Sequence, residues 1–330
     1  MEYLLPSFIG NYLDDLAAKG RKASTIKRYM YDLNDFSYWL HKERSTTEEI
    51  NWKSITKEEL DLFFHELLEV RGYHVRTIRR IHSVLRQVYQ YQKSVGQSEL
   101  SPIIDISPPE LLSGPLDETD WVQHKEQIQL LASISSTKGL SEQQLEVFSF
   151  YKARNEFIVR LFLNYGLTLQ EVHQLSMRDI KFERNEIYIK EDDRLILLEE
   201  EHKLLAYSYF KTIPEPVRPR FYSEDPFIVS FDFKRKTYHW SYEDDQPKRM
   251  SMIAIQKMVR MEVKRAQLRK GISAQTLRNT FILATLLHGR TPEQLIQWIG
   301  YTSPLSMNRY IYTVQSVTTE QKQRLLAGTG

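Results

Sequence analysis

The segment Thr276-Leu277-Arg278-Asn279-Thr280-Phe281, followed by Ile299-Gly300-Tyr301-Thr302-Ser303 and by Tyr310 nine residues after Tyr301, decides the reading of this chain. Apolar periodicity predicts helices around it, near Ser251 to Leu268, Ser273 to His288, Thr291 to Ile299 and Ser303 to Tyr312. The surroundings are basic. From Gln246 to Arg290 ten bases, Lys248, Arg249, Lys257, Arg260, Lys264, Arg265, Arg269, Lys270, Arg278 and Arg290, stand against Glu262 alone. The whole chain has 45 Lys plus Arg against 43 Asp plus Glu, so this excess is local and reads as a footprint for phosphates.

A second basic segment lies far upstream. From Arg71 to Lys93 the bases Arg71, Arg76, Arg79, Arg80, Arg86 and Lys93 occur with no acid among them, all but Arg71 on a helix predicted from about Val75 to Ser94. Ile78, Ile81, Leu85 and Val88 form its apolar stripe, which leaves Arg76, Thr77, Arg79, Arg80, Ser83 and Arg86 for solvent or DNA. Lys22, Lys27 and Arg28, at the start of a helix expected over Thr25 to Leu40 with Ser24 as its cap, join them as candidate contacts. In the C-terminal segment the candidates are Lys248, Arg249, Lys257, Gln275, Arg278 and Asn279. Cations would hold phosphates, and the neutral amides and hydroxyls would be available to base edges.

With 330 residues, 41% of them hydrophobic, the chain is long enough for about two packed domains. Thr56 with Glu59 forms a capping-box pattern that opens a helix running to about Val70. Pro102, Pro108, Pro109, Gly114 and Pro115 then break the pattern, and seven acids face two bases between Ile106 and Phe150. We therefore expect a helical DNA-binding domain over 1–105, a linker over 106–120, and a second domain over 121–330. Helices are expected in the second domain from about Ala153 to Tyr165, ending at Gly166, and from Thr168 to Met177. Glu186–Lys190 and Arg194–Leu198 read as a hairpin around Glu191-Asp192-Asp193, and Pro226–Ser230 as a further strand. A short tail helix with Leu325 and Leu326 apolar should begin near Thr318 or Thr319. The fold class is mainly α, with a small antiparallel β-sheet in the C-terminal domain.

The absence of Cys excludes disulfides, zinc ribbons and thiol nucleophiles, and nine scattered His residues form no metal-ligand spacing. No phosphate-cradling glycine loop, HExxH or GxSxG motif is present. No cofactor and no metal are implied. The chain shows neither a basic leader nor about 18 consecutive apolar residues, so the expected setting is the cytoplasm of a bacterial cell, close to the nucleoid, with no membrane partner.

The C-terminal pattern resembles the tyrosine recombinase (phage integrase) family, in which a His-x-x-Arg motif, a Leu-Gly-His segment and a nucleophilic Tyr nine residues further on close the catalytic domain. Tyr165-Gly166-Leu167-Thr168-Leu169-Gln170-Glu171 looks like the family's Thr-Gly-Leu-Arg-x-x-Glu segment, and the first four helices look like its core-binding domain. The resemblance places the second family Arg at Arg278 and the nucleophile at Tyr310. It places the first family Arg at Thr168, the two His positions at Gln275 and Asn279, and the His or Trp of Leu-Gly-His at Tyr301. Lys190 lies near the family's hairpin Lys. In the family the tail often packs against a neighbouring protomer, which makes a homo-oligomer through the tail a possible assembly.

Phosphoryl transfer to Tyr needs guanidinium groups on the non-bridging oxygens and an acid for the leaving oxygen. Thr168 and Gln275 supply neither, and a phenol such as Tyr301, with a pKa near 10, is a poor acid at neutral pH. The resemblance so amended implies lost catalysis, with Arg278, Tyr310 and Lys190 as vestiges. It further implies a sequence-specific double-stranded-DNA-binding protein acting at operator or promoter sites, a transcriptional repressor that maintains lysogeny for a temperate phage or mobile element. The chain is also similar to the recombinase-fold master repressors of SPβ-like Bacillus prophages. Two alternatives stay open: an active recombinase using Tyr310, with Lys190 or Arg194 replacing missing groups, and an architectural factor that bends DNA for another recombinase.

Overall fold

The computed structural model describes residues 5–46, 51–96, 103, 106, 114–300 and 307–326, and the chain divides into two units, Met1–Leu112 and Ser113–Gly330. The first unit consists of α1 (Ser7–Ala18), α2 (Ala23–Glu43), α3 (Lys57–His65), a π-helical turn over Glu66–Val70, and α4 (Val75–Ser94). Thr56 caps α3 as its sequence requires: its side chain accepts from the Glu59 amide, and Glu59 accepts in return from the Thr56 amide at 2.9 Å. Ser24 does not cap α2, which opens one residue earlier at Ala23 with no side-chain cap, so Ser24 lies in the first turn.

The apolar stripe of α4 is buried at Ile78, Ile81, Leu85 and Val88. It meets a core in which the Phe36 ring lies 4.9 Å from Phe63 and 5.2 Å from Trp52. Each such ring contributes about 1.5–3 kcal/mol by leaving water. That core makes α4 a rigid support for the residues on its outer side.

In the second unit α5 (His124–Ser135) and α6 (Glu142–Glu146) precede α7 (Phe148–Tyr165), whose Phe157, Ile158, Leu161 and Phe162 are fully buried. Gly166 ends α7 in the left-handed conformation, φ +63°, where a β-carbon would strike the Phe281 ring. α8 (Leu169–Gln174) leads to a three-stranded antiparallel sheet of β1 (Ile180–Lys181), β2 (Glu186–Ile189) and β3 (Arg194–Leu197), with Ile187 opposite Ile196. α9 (Glu200–Thr212) packs on α7. Two ribbons follow, β4 (Phe231–Asp232) with β5 (Thr237–Tyr238) and β6 (Trp240–Ser241) with β7 (Gln246–Pro247).

The stretch Pro226–Ser230 is not the strand its composition suggested. It forms only isolated bridges, Ser176 to Pro226 and Val229 to Arg249. Phe227, Ile228 and Val229 are fully buried, and the Tyr209 hydroxyl donates to the Phe227 carbonyl at 3.1 Å and accepts from the Val229 amide at 2.8 Å. One phenol thus satisfies backbone groups that a neighbouring strand would otherwise pair.

The chain closes with α10 (Met252–Arg265), α11 (Ala274–Leu287), α12 (Pro292–Ile299), α13 (Asn308–Ser316) and α14 (Thr319–Leu326). α14 starts where expected, with the Thr318 hydroxyl accepting from the Gln321 amide. Leu325 is buried in a cluster of the same unit with Trp121, Ile282 and Leu283, so the tail packs against its own chain. Leu116, in the stretch expected as linker, is buried in that cluster too, and its amide donates to Thr313 Oγ1 at 2.7 Å.

Candidate nucleic-acid interface and tyrosine site

α8, β3, α11 and α12 converge on one carboxylate. Thr168 is the N-cap of α8: its Oγ1 accepts from the Glu171 amide at 3.1 Å, and its own amide donates to Glu171 Oε2 at 2.5 Å. Glu171, so held, accepts at Oε1 from Arg194 Nη2 and faces Arg278 Nη1 across 3.5 Å at Oε2. Both guanidinium groups also cap α12, Arg278 Nη2 donating to the Ile299 carbonyl at 2.9 Å and Arg194 Nη1 to the Trp298 carbonyl. Cations are favoured there because the helix leaves its last carbonyls unpaired at the negative end of its dipole. Arg194 Nε donates to Asp192 Oδ2 at 2.8 Å, and Gly300, φ +66°, lies so close that any β-carbon would collide with Asp192.

The result is a cluster in which Arg194, Arg278 and Glu171 are buried and Asp192 lies at the exposed edge. Arg278 is 2% exposed and Arg194 7% exposed, so neither reaches solvent as the structure stands. The expectation that Arg278 offers an open phosphate seat is corrected here: its neighbours are a carboxylate and a carbonyl. Arg194 brings a second guanidinium to Glu171 from β3. Strand alternation alone would bury Leu195 and Leu197, whereas β3 buries Arg194 and Ile196 and exposes both leucines.

Tyr310, on α13, is 2% exposed. Its hydroxyl donates to Asn279 Oδ1 at 2.8 Å, the same oxygen that accepts from Gln275 Nε2 at 2.8 Å. Asn279 Nδ2 donates to the Asp120 carbonyl at 2.9 Å. Asn279 is therefore not available to a base edge, a second correction, whereas Gln275 remains exposed. Tyr301 lies outside the described residues. Lys190 is exposed on the hairpin, its Nζ 3.3 Å from Glu224 Oε2, and shares with Glu171 and Arg249 a polar cavity of about 280 Å³.

The basic segments divide into surface and interior. On α4, Arg76, Ser83 and Arg86 are exposed, and Thr77 and Arg79 are half-buried. Arg80 is corrected to an ion-pair partner, its Nη1 2.7 Å from Asp32 Oδ2, and Arg71 sits between Asp35 and Glu66. Lys22, Lys27 and Arg28 are exposed at the start of α2. In the second unit Arg249 is corrected likewise: it donates to the His173 and Leu175 carbonyls at 2.7 Å, and burial holds its pKa below the usual guanidinium value. Arg265 and Arg269 are committed to Glu262 and Glu126. Lys248, Lys257, Arg260, Lys264, Lys270 and Arg290 remain exposed. Among the described residues no group of three His, Asp or Glu could hold a metal ion, and no helix is long and apolar enough to cross a membrane.

Comparison with known proteins adds to this geometry. The N-terminal SAM-like domain of phage integrases matches residues 8–97. Tyrosine recombinase XerC of Caldanaerobacter subterraneus subsp. tengcongensis is 26% identical over 331 residues, covering 94% of this chain and 82% of that protein. XerH site-specific recombinase bound to palindromic difH substrate in a post-cleavage complex superposes with a TM-score of 0.63 at 17% identity, covering 94% of this chain and 81% of that one. A lambda integrase dimer bound to a COC′ core site (residues 75–356) gives 0.61 at 12% identity, covering 95% and 97%.

The fold is that of the tyrosine recombinases, a helical N-terminal domain followed by the mixed catalytic-type domain. The N-terminal match and the XerC likeness along nearly the whole chain are similarities to the same tyrosine recombinase (phage integrase) family. The expectation of lost catalysis is overturned by the same findings: the XerC relative is an enzyme by name, and nothing in these likenesses marks a loss of chemistry.

Proposed function

We propose that this chain binds double-stranded DNA at specific sites and that its chemistry is phosphoryl transfer to Tyr310, with Arg278 and Arg194 as the charge-stabilising pair. The observation that carries this reading is the sharing of Glu171 by those two guanidinium groups, which compensates for Thr168 with a cation from β3. Opening of the cluster by a backbone phosphate would exchange Glu171 for the phosphate as the counter-charge of both. Tyr310, released from Asn279, would attack the phosphorus as its phenolic proton passes to water; the phosphotyrosine bond forms as the bond to the strand's leaving oxygen breaks, and that oxygen departs as a hydroxyl with a proton from water or from the exposed Lys190 ammonium. The exposed cations of α4, α2 and α10 supply the non-specific grip.

The test uses nicked suicide duplexes taken from genome-mapped bound sites. A covalent protein–DNA species absent in Tyr310→Phe is the expected result. Its absence with every bound site would remove the chemistry from this reading and leave the binding.

A second reading is favoured by the burial of Tyr310, Arg278 and Arg194 in the closed cluster. A duplex grip in this state acts by occupancy, as a repressor of a temperate phage or mobile element does at its operators, or as an architectural factor does when it bends DNA. Footprints over promoters with matching derepression on deletion support the repressor. Bending without promoter effects supports the architectural role. Either would work in the bacterial cytoplasm near the nucleoid.

A further inference from the structure

In the second unit a cavity of about 650 Å³ lies among α7, α10 and the residues around β4, and neither Arg278 nor Tyr310 lines it. Its size is that of a pocket for a small organic molecule. One wall is aromatic: the Tyr151 ring is 5.0 Å from Phe233, which is 5.3 Å from Phe231. Met258 and Met261 of α10 face the same space, an adaptable apolar lining.

The charged lining is mainly positive. Arg154, Lys257, Lys264 and Arg265 stand against Glu262, and Glu262 is taken up by Arg265 at 2.6 Å and by Asn155 Nδ2 at 3.0 Å. Arg154 is 2% exposed, and its guanidinium donates to neutral oxygens, the Val229 carbonyl at 2.9 Å and Asn155 Oδ1 at 3.2 Å. Glu262, the carboxylate whose charge acts on it, is already taken up by Arg265 and Asn155. A buried cation with no ion pair of its own is costly, and although the Glu262 charge acts on it, burial holds its pKa below the usual guanidinium value. A ligand anion would meet that charge.

We propose that this cavity binds a small amphipathic carboxylate, with the anion directed to Arg154 and the apolar body against Tyr151, Phe231, Phe233 and the two methionines. The site is independent of Tyr310 and of any reaction there.

The test uses the full chain with 8-anilinonaphthalene-1-sulfonate as the fluorescent probe and decanoate as competitor. One saturable probe site per chain is expected, displaced by decanoate at least about tenfold more effectively than by decanol, as loss of a charge-assisted hydrogen bond predicts. Ala254→Trp, which fills the mouth from α10, should weaken decanoate by a similar factor without changing the thermal melt. Arg154→Met should erase the preference for decanoate over decanol. Should that variant not fold, Ala254→Trp and the decanoate-to-decanol ratio carry the test. An acetylated apolar tripeptide, as free acid and as amide, separates a peptide source from a fatty-acid source. Displacement by the free-acid peptide alone assigns the site to peptides, and by decanoate alone to fatty acids. Equal displacement by decanol, no displacement by any acid, or wild-type binding in Ala254→Trp would each overturn the proposal.

Discussion

Arg194 and Arg278 sit on opposite oxygens of one carboxylate, Arg194 on Glu171 Oε1 and Arg278 3.5 Å from Oε2. Glu171 is thereby the counter-ion of both, at a site where all three side chains are buried. Glu171→Gln keeps the volume and removes the charge. Stranding two buried cations should cost about 3–5 kcal/mol, read as a lowered midpoint in urea unfolding of the full chain. A midpoint equal to wild type would show that the α12 carbonyls and Asp192 suffice without Glu171.

Arg194→Lys separates position from charge. A lysine cannot hold Glu171, Asp192 and the Trp298 carbonyl at once, so the variant should bind duplex within a few-fold of wild type. Adduct formation should fall by about 10²- to 10³-fold, the usual cost of one misplaced charge clamp. Equal adduct rates would remove Arg194 from the proposed chemistry.

Gly300→Ala tests the turn that brings α12 to this cluster. The residue has φ +66°, and a β-carbon would collide with Asp192. A loss of at least about 1 kcal/mol is expected, larger than at an open helix end because displacing Asp192 also disturbs the buried Arg194 beside it. Thermal melts of the variant check it. Gly289→Ala, also at positive φ but with open space around its β-carbon position, is the control and should cost less.

Acid should weaken the fold before it touches ordinary carboxylates. Burial pushes the pKa of His82, whose Nε2 donates to the Ile106 carbonyl at 2.8 Å, and that of His202, bonded to the Tyr165 hydroxyl, below the usual value of 6.5. The folded chain therefore takes up these protons less readily than the unfolded chain. Stability is highest above the unfolded value and is lost as pH falls through about 6.5. Melting temperatures measured between about pH 7.5 and 5.5 should fall, and His82→Gln should reduce the fall. A flat profile would contradict the buried-neutral assignment.

What the sequence disclosed was chiefly local. The Thr56 and Glu59 capping box, the Gly166 stop and the hairpin around Asp192 and Asp193 each depend on residues within a few positions, and each is in place. Pro226–Ser230 was misread because an apolar run does not distinguish a strand from a buried loop: its backbone bonds go to scattered partners, Leu175, Lys248, Met250 and His239, and to the Tyr209 hydroxyl. The basic segments were legible as charge but not as surface. Arg80 is spent on Asp32, 48 residues away, and Arg249 on carbonyls more than 70 residues away, distances that composition does not encode. Thr168 read as a missing arginine, whereas it serves as the N-cap of α8, and Arg194 reaches Glu171 through strand pairing.

The central claim is that the exposed cations hold a duplex, and the salt dependence of binding tests it most directly. Affinity of the full chain for a mapped site, followed by fluorescence anisotropy across a salt series, should fall linearly in log–log form. Arg76→Gln with Arg86→Gln, both exposed on α4, should flatten that slope by about 2, close to 0.9 for each phosphate left without its cation. Arg80→Gln, which breaks the pair with Asp32, should lower stability and leave the slope unchanged. An affinity that does not respond to salt, or a double variant with the wild-type slope, would contradict the account.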